Sequence, residues 1–117
     1  MLTLAELRRR MDREPEHAIL HLLEFVDDFR RERDTSALEE PFASTNERWD
    51  ALAAATAETL CKEMGEEAPA WLAEIPACKQ PWFVSGLESL KAIALVESPL
   101  AFRLRKIFVL ENFLNRA

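Results

Sequence analysis

His17, His21, Glu24 and Asp28 follow one another at steps of four, three and four residues. On a helix this spacing sets all four side chains on one face. Two imidazoles one turn apart can converge on a metal ion, and a carboxylate a turn further on can supply a third ligand. His17, His21 and Glu24 are therefore the metal-ligating candidates. The same helix must expose a polar face opposite its apolar stripe, however, and these residues occupy that face. No HExxH arrangement adds a general base. A solvated surface is the expected reading, with no metal and no cofactor.

The two cysteines, Cys61 and Cys78, lie 17 positions apart and neither has the close-spaced neighbour of a structural zinc site. They are expected to be buried thiols, with a disulfide as the lesser alternative. Cys61 falls late in its helix, where the dipole disfavours a thiolate. Ser85-Gly86 stands outside a GxSxG frame, and no glycine loop is suited to cradle a phosphate. An enzymatic reading has no foothold.

Basic residues gather in three places: Arg8, Arg9, Arg10 and Arg13; Arg30, Arg31 and Arg33; and Arg103, Arg105 and Lys106. Were the three to meet, they would make a positive patch suited to phosphates or to an acidic protein surface. Against this stand 21 acidic and 15 basic residues, a net charge of -6 that repels a polyanion at long range. Cations late in a helix are also stabilised by its dipole without any ligand. A nucleic-acid regulator is thus the alternative function and nucleic acid not the expected partner. Trp49, Trp71 and Trp82 are more often core than interface anchors in a chain of this length.

These residues must be positioned by helices. Only 2 glycines and no tyrosine, amid abundant Ala, Leu, Glu and Arg, favour helix over hairpins. Thr3 and Glu6 have capping-box form and open a helix over 3–13. Pro15 starts a second over 15–33, with Ile19, Leu22, Leu23, Val26 and Phe29 as its apolar stripe. Residues 34–43 form a surface connection from which Phe42 folds back onto the core. Ser44 and Glu47 suggest the cap of a third helix that runs to Met64 and stops at Gly65. Its alanine-rich flank invites another helix, within the chain or across a homodimer. Residues 66–86, with Pro69, Pro76 and Pro81 among Trp71, Trp82 and Phe83, are expected to be irregular but packed, with one helical turn near 70–74. Leu87, Leu90, Ile93 and Ala94 resume a helical period. Ser98-Pro99 suggests the start of another helix carrying Phe102 and Leu104. Residues 107–110 are apolar on every side and suit helix or a brief strand, and 111–116 suit a closing helical turn or two.

The second half, about residues 47–110, resembles a group of small bacterial proteins. The residues that carry the likeness are Arg48-Trp49, Pro69-Ala70-Trp71, Pro81-Trp82-Phe83, Leu90-Lys91-Ala92, the run Ala94 to Arg103 and Ile107-Phe108-Val109. The chain departs from the pattern at Lys106, where arginine or glycine is expected, and in its tail. The group is similar to companions of nucleotidyltransferase-like toxins, which implies an antitoxin-like partner-binding role and no catalytic residue.

The expected protein is therefore all-α, a single helical domain over 1–117 made as a compact bundle of five to six helices with an irregular Pro/Trp-rich segment. It is expected to be a cytoplasmic, non-enzymatic protein-interaction module that binds a partner protein, with Trp71, Trp82, Phe83, Arg103, Arg105 and Lys106 as contacts. No apolar run approaches the roughly 20 residues that span a bilayer, so no membrane is involved.

Overall fold

Thr3 opens the first helix, α1 (Leu4–Arg13), by accepting the Glu6 N–H on its hydroxyl at 3.1 Å. The computed structural model describes residues 1–115 of the chain; Arg116, at the end of the expected closing turn, lies outside them. Pro15–His17 forms a 3-10 turn that leads into α2 (Ala18–Glu32), so the second helix begins three residues later than its proline predicts. The buried arc of α2 is Ala18, Leu22, Phe25, Val26 and Phe29. Ile19 and Leu23 are only half-buried, and the stripe is rotated toward Phe25.

The third helix, α3 (Glu47–Met64), is capped by Asn46, whose side chain accepts the Trp49 N–H at 3.0 Å. Ser44, two residues earlier, does not cap it. A side-chain oxygen must sit next to the first turn to reach its free N–H groups, and Asn46 is the residue placed there. Asn46→Ala is expected to lower stability by about 1 kcal/mol in urea unfolding, and Ser44→Ala by no more than about 0.5 kcal/mol. Gly65, at φ 72°, ends α3, with the Glu66 N–H bonded back to the Cys61 carbonyl at 2.9 Å.

Helix α3 is the axis of the molecule. α1, α2 and the later helix α5 (Leu100–Arg103) all pack on it, as does the 3-10 turn Ala70–Glu74. Ala51, Ala53, Ala54, Ala55 and Ala57 are all fully buried, because short side chains let neighbours close in on several sides. The alanine flank is thus covered within the chain. Among the described residues no helix is long and apolar enough to cross a membrane.

The segment after α3 crosses the core with Leu72 fully buried and ends in a two-residue strand, β1 (Trp82–Phe83). A 3-10 turn at Glu88–Leu90 leads into α4 (Lys91–Glu97), followed by α5 and then β2 (Ile107–Phe108). The strands pair in parallel, Trp82 with Ile107 and Phe83 with Phe108. The apolar run at 107–110 therefore takes the extended alternative at its start. Lys106, at φ 61°, makes the left-handed turn that swings the chain from α5 into β2. Glycine adopts that conformation without strain, whereas lysine pays for it. The protein is mostly α-helical, with five α-helices and one small sheet among the described residues.

Ser98 does not cap α5. Its buried hydroxyl accepts the Val109 N–H at 2.8 Å and lies 2.5 Å from the Ala94 carbonyl oxygen, fastening the end of α4 to the chain beyond β2.

Candidate functional site

Most of the arginines that cluster in sequence are held by acids of the same chain. Arg8 is buried, with Nε 2.9 Å and Nη2 2.7 Å from Asp50 Oδ1, and it also meets Asp12 and Thr45. Its guanidinium lies 5.5 Å from the centre of the Phe42 ring, which folds back as expected. Arg9, Arg10 and Arg13 converge on Glu6, whose carboxyl is held below the usual range, chiefly by the Arg9 hydrogen bond. Arg30 pairs with Glu63 and Arg31 with Asp28. The first two clusters are therefore largely neutralised, which weakens any case for a phosphate-binding patch.

In the third cluster, Arg105 is only 7 % exposed and points inward. It pairs with Glu58 and donates to the Leu72 carbonyl at 2.8 Å, tying the α5–β2 turn to α3 and to the 3-10 turn. Its Nε is buried without a partner. Arg105, expected as a contact, is thus placed inside the chain, where the half-buried Glu58 carboxylate and the Leu72 carbonyl take the place of water around its guanidinium. Arg103 and Lys106 remain exposed.

The histidine face divides in two. His17 belongs to the 3-10 turn and gathers with Glu14 and Glu16, the one trio of possible ligands among the described residues whose donor atoms lie within 4.8 Å of one another. All three are exposed. His21 is half-buried at the edge of the rotated α2 stripe, 3.0 Å from Glu14 and 3.6 Å from Glu24. His17, His21 and Glu24 do not converge as a set.

Cys61 and Cys78 are free and buried. Burial pushes both thiols up, with Glu66 and Glu58 adding to the effect at Cys61 and Glu47 at Cys78. Both stay protonated at neutral pH, poor nucleophiles.

The aromatic residues offered as contacts are engaged internally. The Trp71 indole N–H donates to the Leu38 carbonyl at 2.9 Å and its ring meets Phe42 edge-on at 5.3 Å. Trp82 meets Trp49 edge-on at 5.5 Å, with the Arg48 guanidinium 5.3 Å from its ring centre. Phe83 stacks on Phe108 at 5.0 Å and carries the Lys91 ammonium on its ring. All three remain half-buried.

What stays uncovered is aliphatic. Six of the eight large apolar side chains exposed among the described residues are Leu87, Ile93, Leu95, Val96, Leu100 and Leu104. In α4 only Ala94 is buried, so of the expected helical period Leu87 and Ile93 face out, and Leu95 and Val96 beside them do too. Beside α5 lies a cleft of about 640 Å³, walled by Ile75, Pro76, Leu100 and Leu104, with Glu58, Lys62 and Arg105 supplying its charged groups. A signal for this surface is present in the sequence: 92–96 is apolar all round, more than one buried face requires.

No protein-family model, curated protein or solved structure matches this chain.

Proposed function

We propose that the chain is a non-enzymatic protein-interaction module, antitoxin-like in that it masks a partner protein, and that α4 and α5 present its binding face. One observation carries this reading: the exposed large apolar side chains concentrate in residues 87–104, and clustered exposed aliphatics characterise docking surfaces. Helices α1 to α3 are the bundle that holds this face out, and the cytoplasm is its place of work. The internal pairing of the arginines and the raised cysteine thiols agree with a role in binding rather than catalysis. Of the contacts expected from sequence, Arg103 lies within this segment, Phe83 and Lys106 flank it, Trp71 and Trp82 steady it, and Arg105 anchors it from inside.

Co-expression with the product of the neighbouring gene tests the proposal. The two proteins are expected to co-elute in size exclusion, and Val96→Asp, at a position 79 % exposed, is expected to abolish co-elution while leaving the circular dichroism unchanged. Failure of the wild-type proteins to associate would remove the antitoxin-like reading. Association indifferent to Val96→Asp would move the contact away from α4.

A further inference from the structure

We propose that the cleft between α3 and α5 receives an amphipathic α-helix of the partner protein, with apolar side chains one turn apart and carboxylates flanking them. This inference rests on the reading of α4–α5 as the binding face. The cleft volume of about 640 Å³ is within the range that encloses a small ligand, but the apolar surface does not end at its rim. Leu104 is 68 % exposed and Leu100 54 %, so a compact molecule seated inside would leave much of both in water. An elongated apolar ligand covers them.

A helix fits better than a strand. Strand addition needs a free sheet edge, and each strand here has only two residues. Leu100 and Leu104, four positions apart on α5 and its cap, form a short ridge on one wall of the cleft. Side chains spaced by three and four on a second helix interdigitate with such a ridge.

Charge selects the partner's flanking residues. The ionisable groups lining the cleft are Glu58, Lys62 and Arg105. Glu58 is tied to Arg105, which leaves Lys62 as the uncompensated charge. Arg103, exposed between Leu100 and Leu104 in sequence, has no ion pair among the described residues and adds a second cation near the cleft. The local preference is thus for Asp or Glu facing Lys62 on α3 and Arg103 on α5, although the chain as a whole is acidic.

A displayed library of helix-forming peptides, selected against the full chain, tests the assignment. Enriched peptides are expected to share apolar residues at three- and four-residue steps with Asp or Glu beside them. Leu104→Asp is expected to weaken their binding at least about tenfold. Lys62→Glu should weaken it about threefold at low salt, an effect that fades as salt screens the rim, and Glu-to-Lys versions of the peptides should regain affinity for that variant. Both positions are exposed, so both variants are expected to fold, with unchanged circular dichroism as the check. Enrichment of basic peptides, of none, or of peptides indifferent to both substitutions would overturn the inference. So would a homodimer in sedimentation that Leu104→Asp dissociates, since the cleft would then belong to a second copy. If peptide selection fails while the neighbouring protein still co-elutes in a Val96-dependent manner, the helix assignment falls and the interaction module stands.

Discussion

Asp50→Ala is expected to cost about 3 kcal/mol of folding stability, read as a lower midpoint in urea with an unchanged slope. Asp50 and Arg8 are both nearly inaccessible, and Arg8 gives two short hydrogen bonds to one Asp50 oxygen across 42 positions of sequence. Removing the carboxylate leaves a guanidinium in the interior with Asp12, Thr45 and the Phe42 ring nearby, too little to offset the desolvation already incurred. Asp12 is itself partly exposed and moderates the loss, which places the effect at the low end for a broken buried pair. Replacing both partners with apolar residues, Arg8→Met with Asp50→Leu, should recover most of it, because no charge is then stranded. A loss below about 1 kcal/mol for Asp50→Ala would mean that water reaches Arg8 and that the pair contributes little.

Phe102→Ala is expected to cost about 3–5 kcal/mol. The ring is fully buried and meets Phe113 edge-on at 6.2 Å. Helix α5 spans four residues, far fewer than an isolated helix needs, so its conformation depends on this one side chain and on the Arg105 anchor. The substitution should therefore do more than leave a cavity. Amide exchange at Leu104, whose N–H bonds to the Leu100 carbonyl at 2.9 Å, should accelerate more than at the centre of α3, and capture of helical peptides should fall together with it. Phe102→Leu should retain most of the stability. If exchange rose equally in α3 and α5, the two would open as one unit, and α5 would have no separate dependence on its phenylalanine.

The parts of the fold that were legible in sequence are those set by neighbours along the chain. Thr3 and Gly65 mark helix ends through bonds to residues a few positions away, and both act as expected. The third helix follows from its apolar spacing. Ser44 and Ser98 are polar residues of the right type near a helix start, but Asn46 and Pro99 occupy the cap positions. Arg8 and Arg105 read as surface charge because their carboxylates, Asp50 and Glu58, stand more than 40 residues away. The exposed face of α4 was missed for a different reason. A helical period states that a stripe is apolar, and leaves open whether the chain itself or another molecule covers it. In Leu95 and Val96 the excess of apolar positions was the available clue.

The parallel pairing of β1 and β2 has a consequence for how the protein can change over time. Residues 84–106 form an excursion over the body of the molecule, closed at its base by a clasp of Trp82–Phe83 and Ile107–Phe108 and reinforced by the Cys78 N–H on the Arg105 carbonyl at 3.0 Å. Within this excursion Ala94, Ser98, Phe102 and Arg105 face inward, five positions are half-buried and the remaining majority face out. The scaffold constrains few of its letters. Outward positions can therefore diverge, or be grafted from one version of the protein to another, to match a different partner while α1 to α3 stay as they are.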